Sequence, residues 1–199
     1  NTEVLWDGNP KFWKRHSPIL FPNVGKTWQN KVLISGEEYP APSHGFARDS
    51  VFACVEHTAD LARFLLFSSE KTREVYPYDF KLYVTYKLQG KELNVEWTVE
   101  NCSQDTMYFT IGGHPAFKYA DSSEKKEDYK LKFPGKQEII SSFLDLTTGT
   151  TIPGKHYALE LQDEMCVLKE ELFENDTLIL DDNQVDEVWL CHKDGTPYV

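Results

Sequence analysis

The run Phe80-Lys81-Leu82-Tyr83-Val84-Thr85-Tyr86-Lys87-Leu88-Gln89-Gly90-Lys91-Glu92-Leu93-Asn94-Val95-Glu96-Trp97-Thr98-Val99 decides the fold class. Its apolar residues fall on every second position in both arms, and Gln89-Gly90-Lys91 separates the arms. That pattern predicts a β-hairpin with one buried face. Residues 51–56 and Leu61–Phe67 read as a second hairpin, turned by Thr58-Ala59-Asp60. Residues 107–111 read as a strand that runs into Gly112-Gly113-His114. Alternation returns at Tyr129, Leu131 and Phe133, again at Tyr157, Leu159 and Leu161, and in a last short strand at 188–190 before Lys193-Asp194-Gly195. Helix is expected only as a turn or two over 69–75, stopped by Pro77, and near Glu170–Phe173, while 122–128 reads as a solvated charged loop. Many short strands at regular spacing predict an antiparallel all-β sandwich or barrel.

At 199 residues the chain fits one domain, residues 1–199, with neither an internal repeat nor a linker. It sets 21 Lys+Arg against 32 Asp+Glu, a formal charge of -11, which repels nucleic-acid backbones. A local basic pocket for a small anion remains compatible with that exterior. Aromatic residues make up 14%, a supply that suits both a sheet-rich core and rings stacked on sugar faces. Cys54, Cys102, Cys166 and Cys191 lack metal-ligand spacing and read as free thiols of a reducing compartment, with two disulfides as the alternative. No apolar run reaches the length of a membrane span and no signal peptide is evident, so the expectation is a cytoplasmic protein without a membrane partner. The chain opens on Asn1 and stops on Pro197-Tyr198-Val199 inside an expected strand, which reads as a fragment lacking strands at both ends.

Two histidines sit where the backbone is unusual. His44 occurs in Ser43-His44-Gly45-Phe46-Ala47-Arg48-Asp49, and His114 in Ile111-Gly112-Gly113-His114-Pro115-Ala116-Phe117. Glycine permits positive φ and close approach of a ligand to the main chain, and Pro115 biases His114 toward extended backbone. Such a setting aims one imidazole, the side chain that exchanges a proton near neutrality; the plainer alternative is a hydrogen-bonded polar residue. Nucleotide-binding glycine loops, a zinc-ligand spacing and a serine nucleophile elbow are all absent. His57, His156 and His192 read as solvated or hydrogen-bonded side chains, and His16, beside Arg15, is left open.

Three segments in this order resemble the aldose 1-epimerase (galactose mutarotase-like) family, in particular its LacX-like branch. They are Arg15-His16-Ser17-Pro18-Ile19-Leu20-Phe21-Pro22-Asn23-Val24-Gly25, His44-Gly45-Phe46-Ala47-Arg48, and Gly112-Gly113-His114-Pro115-Ala116-Phe117. The opening from Trp6-Asp7-Gly8 to Trp13 and the segment Tyr76-Pro77-Tyr78-Asp79-Phe80 fit the same pattern. The resemblance implies a large antiparallel β-sandwich of the galactose mutarotase type and an isomerase that interconverts the α and β anomers of a small aldose.

Such chemistry needs one general acid and one base, with no metal and no nucleotide. By similarity His114 protonates the ring oxygen and His44 bonds the same region of the sugar. The family's base is a glutamate on a late strand in a segment like Ile-Glu-Pro-Trp, and the 199 residues contain no such segment. They are therefore expected to carry half of the proton relay and to accelerate mutarotation little by themselves.

Arg15, Arg48 and Lys26 are the candidate substrate-binding cations, since arginines in the corresponding segments of phosphosugar-accepting relatives bind the phosphate. Their alternative is pairing with carboxylates such as Asp49. The main expectation is thus an aldose 1-epimerase. A hexose-6-phosphate 1-epimerase and a non-catalytic carbohydrate-binding or regulatory module are the rivals, and the oligomeric state is left open. In each case His44 and His114 should converge on one open cleft.

Overall fold

The computed structural model describes residues 3–199, and the chain forms two compact units. Trp6–Ala116 is one; Phe117–Val199, with the described residues up to Leu5, is the other.

The Trp6–Ala116 unit holds β1 (Ile19–Leu20), β2 (Lys31–Ile34), β3 (Glu37–Pro40), β4 (Ala53–His57), β5 (Leu61–Phe67), β6 (Phe80–Gln89), β7 (Glu92–Asn101) and β8 (Gly112–Gly113). Strands β4, β5, β6 and β7 form one antiparallel meander, in sequence order. Register fixes its faces: Leu66 opposes Leu82 and Leu82 opposes Val99, while Phe64 opposes Val84 and Val84 opposes Trp97. The period-two residues therefore share one face, and Phe80, Leu82 and Val84 on it are buried. The opposite face carries Lys81 paired to Glu100 at 3.1 Å and the Arg63 guanidinium 4.3 Å from the Tyr83 ring centre. A single helical turn, α1 (Glu70–Arg73), starts where the Ser69 hydroxyl accepts from the Thr72 amide.

Phe21 is fully buried at the centre of this unit, with its ring 5.3 Å from Phe80, 5.9 Å from Tyr76 and 6.2 Å from Phe46. The peptide bond that follows, Phe21-Pro22, is cis. Antiparallel β1 and β8 pair Ile19 with Gly113 and Leu20 with Gly112. Continued by two residues, that register would pair Pro22 with Thr110. Thr110 N–H does donate to Pro22 O at 2.9 Å, but Pro22 has no N–H to return. The expected strand over 107–111 is therefore not formed. These residues are tied at single points instead: Tyr76 donates its hydroxyl to Tyr108 O, and Val24 N–H donates to the Thr110 hydroxyl.

The other unit holds β9 (Tyr129–Lys132), β10 (Ile140–Asp145), β11 (Thr150–Ala158), β12 (Met165–Val167) and β13 (Trp189–His192). Strand β9 lies between β12 and β13, antiparallel to both. Strands β10 and β11 form a hairpin bulged between Ser142 and Leu144, its turn held by the Asp145 carboxylate accepting from Thr147 N–H. Phe133, Ile139, Leu159 and Cys166 form its core. All four cysteines are free thiols, Cys54 and Cys102 exposed and Cys166 and Cys191 buried. No helix among the described residues is long and apolar enough to cross a membrane.

Gly45 and Gly90 both lie in the left-handed region, at φ 66° and 64°. A Cβ at Gly45 would fall 2.1 Å from Phe21 O, whereas one at Gly90 meets nothing within 4 Å. Alanine at either site should cost about 1–2 kcal/mol for the backbone. Gly45→Ala should lose about 1–3 kcal/mol more through overpacking. Urea unfolding midpoints compare the two, and equal losses would mean that the Phe21 carbonyl yields freely.

Candidate active site

The site is assembled from the loop before β2, the loop after β3 and the exit of β8. Both His44 and Gly45 have left-handed backbone, at φ 65° and 66°. Phe46 N–H and Ala47 N–H then donate to Phe21 O at 3.0 and 3.1 Å, which docks the His44 loop on the core. Two further bonds fix the imidazole: His44 N–H donates to Gly25 O at 2.9 Å, and Gly25 N–H donates back to His44 Nδ1 at 3.1 Å. The Asn23 side-chain amide donates to both Gly25 O and Pro42 O, which ties the two loops together.

His114 leaves β8 with its N–H donated to Pro18 O at 3.0 Å. A Cβ at Gly113 would lie 3.3 Å from the Trp97 ring, so the chain passes this point close to the sheet. The His114 ring is exposed and lies 4.9 Å from Trp13, the two planes tilted by 36°. Trp13 is itself tethered, since its carbonyl accepts the Trp6 indole N–H at 2.6 Å. The half-buried His44 ring and the His114 ring meet edge to face, centres 5.6 Å apart and planes at 86°. The structure thus brings the two imidazoles to one place, with one of them open to solvent.

Arg15 and Arg48 sit nearby but are engaged. Both terminal nitrogens of Arg15 donate to the Asp49 carboxylate, at 2.8 and 3.1 Å. Arg48 donates to Ser43 O at 2.7 Å and holds its Nε 3.8 Å from the same carboxylate. With Lys14, His16 and Ser17 on one side and Phe64, Val84 and Tyr86 on the other, the two arginines line a cleft of about 450 Å³. Neither His44 nor His114 belongs to that lining. Electrostatics still connect them: burial first, then Arg48, His114 and Arg15, push His44 below the usual imidazole range. The Arg15 hydrogen bonds hold Asp49 below the usual carboxylate range. Lys26, one residue beyond Gly25, is exposed and makes no ion pair among the described residues.

Two contributors to the site carry no local sign of their roles: Trp13 is far from His114 in sequence, and Gly25 acts through its amide. Asp49, open in the sequence as an alternative partner of the arginines, takes that place. A serine–histidine–aspartate trio does occur at Ser142, His156 and Asp181 in the other unit. There Ser142 donates its proton to Asp181 at 2.6 Å and meets His156 Nδ1 at 3.1 Å, so no histidine base is aimed at an otherwise free hydroxyl.

The Asp49 clasp has a pH signature. A carboxyl lowered in the folded state adds stability above its unfolded value, and that stability is lost as pH falls through the folded value. Asp49→Asn should cost at most about 1 kcal/mol at neutral pH, because Asp49 is largely exposed. The difference should fade below about pH 3.9, the ordinary aspartate value. Urea midpoints of both proteins across that range give the check.

Comparison with known proteins bears on the family and the fold. The chain matches the aldose 1-epimerase family over residues 1–195. The plasmid-borne LacX protein of Lactococcus lactis is 32% identical over 193 residues, covering 90% of this chain and 62% of LacX. A putative glucose-6-phosphate 1-epimerase of Salmonella typhimurium is 35% identical over 124 residues, 55% of this chain and 39% of that protein. A solved galactose mutarotase related enzyme from Lactobacillus acidophilus matches with a TM-score of 0.89 at 33% identity, over 97% of this chain and 64% of its own. A galactose mutarotase-like protein from Lactobacillus casei matches at 0.82 and 29% identity, over 96% of this chain and 66% of its own. The chain thus spans less than two thirds of the LacX relative. Its fold class is the all-β antiparallel sandwich of these galactose mutarotase-like structures. By family match and by fold, this chain belongs to the aldose 1-epimerase family.

Proposed function

We propose that the protein is an aldose 1-epimerase acting on a neutral sugar, with His114 as the general acid and His44 as a hydrogen-bonding partner of the same sugar region. The observation that carries this reading is the edge-to-face pair of imidazoles, 5.6 Å apart, whose exposed member is reachable by solute. A carboxylate base takes the proton of the anomeric hydroxyl, the C1–O5 bond breaks as C1=O forms, and His114 protonates the ring oxygen. Rotation about C1–C2 and the reverse proton transfers close the other anomer. Trp13, flanking His114, offers a flat apolar wall for a sugar face.

The neutral substrate follows from the Arg15 fork, which Asp49 already occupies. A hexose 6-phosphate is the second reading. It is favoured by the cleft that Arg15 and Arg48 line and by the Salmonella relative, with Lys26 as a further cation near Gly25. A non-catalytic sugar-binding module keeps the same pocket without turnover. We place the protein in the cytoplasm and read residues 1–199 as part of one domain of this type.

Polarimetry on a freshly dissolved aldose tests the proposal, with the chain as it stands and extended past Val199. The chain as it stands should accelerate mutarotation little, and in the extended chain His114→Gln should lower the catalysed rate about 10²–10⁴-fold. An unchanged rate would remove His114 from the proton relay. The 6-phosphate should react no faster than the free hexose; a clear preference for it would establish the second reading.

A further inference from the structure

We propose that His44 is locked by the Gly25 amide as a neutral imidazole protonated on Nε2, so that it can only donate to the sugar and leaves proton transfer to His114; this rests on the epimerase reading for its role, though not for its chemistry. A backbone N–H can only donate. The Gly25 N–H therefore requires a lone pair on His44 Nδ1, 3.1 Å away, and the single proton of the neutral ring must sit on Nε2. The reciprocal bond from His44 N–H to Gly25 O, 2.9 Å long, keeps the two residues in register. Neither partner has slack. Asn23 holds Gly25 O, and Gly45, packed onto Phe21 O, holds the other side of the histidine.

Protonating His44 would place a second N–H on Nδ1, head to head with the Gly25 N–H. Donor would face donor in a half-buried position. The charged groups that act on the ring push the same way: Arg48 and Arg15 are cations, and His114 becomes one when it carries its proton. Asp49, the carboxylate of this cluster, is spent on the two arginines. Geometry and field thus both oppose the imidazolium at His44. The exposed His114 has its backbone N–H on Pro18 O and its ring beside Trp13. The division of labour follows from these surroundings. His44 supplies a fixed N–H at Nε2, suited to a sugar oxygen that gains charge as the ring opens. Gly25 is its positioning residue.

The direct test is long-range proton–nitrogen correlation NMR on the uniformly ¹⁵N-labelled protein, with His44→Gln and His114→Gln used for assignment. The expected spectrum shows His44 as the Nε2–H tautomer and still neutral at about pH 6.5, where an ordinary imidazole is half protonated. An Nδ1–H tautomer, or a His44 that titrates at or above that ordinary value, would overturn the proposal. Activity gives a second, separable readout. His44→Gln can return an N–H near the Nε2 position, whereas His44→Asn matches the Nδ1 position. Gln should therefore hold KM closer to the parent value than Asn, without moving the pH profile of kcat. A pH profile that shifts with His44→Gln would place the titrating acid at His44 and overturn the assignment. An Nε2–H tautomer in a protein that, extended past Val199, binds aldose without mutarotation would sink the epimerase reading alone and uphold the locked donor.

Discussion

One two-residue ladder and the carbonyl on its far side organise the site. The β1–β8 ladder runs only through Ile19 and Leu20, because Pro22 has nothing to donate to the next pair. The Phe21 carbonyl, at a non-hydrogen-bonded position of that register, faces away from β8, and the amides of Phe46 and Ala47 take it. Those two hydrogen bonds draw the His44 loop onto the core, while the other end of the same short ladder releases the chain at His114. One interrupted ladder thus brings two residues distant in sequence to one place. The buried Phe21 ring keeps the junction rigid, since Phe46, Tyr76 and Phe80 close around it.

Where side-chain alternation and burial coincide, the sequence is easy to read. Phe80, Leu82 and Val84 share a buried face as their spacing implies, and Leu61–Phe67 is the strand its pattern suggests. The imidazoles were also legible, because glycines and a proline beside a histidine are local signs of special backbone. Residues 107–111 have the apolar character of a strand, yet their ladder partner is a proline that only the fold brings there. The β2–β3 hairpin had a signal in Ser35-Gly36, both at positive φ, and β10–β11 had one in Asp145 and Gly149. The Gly25 amide had none, since a backbone donor is the same whatever the residue, whereas Asp49 was already open as an alternative partner of the arginines.

Charge is distributed against the average. The chain as a whole is strongly acidic, while Arg15 and Arg48 share the single carboxylate of Asp49 beside the imidazoles. This local excess of positive charge, together with burial, acts on His44 more than the distant acidic surface does. An anionic group arriving in the arginine-lined cleft would have to compete with Asp49 for the Arg15 fork.

The Trp13–His114 contact also makes the site its own spectroscope. An indole beside an imidazole loses fluorescence more strongly when the imidazole is charged, and here the rings are 4.9 Å apart. Trp13 emission therefore carries a record of the protonation of His114 in the unlabelled protein. A sugar that slides against either ring would change that light before any anomer has been converted.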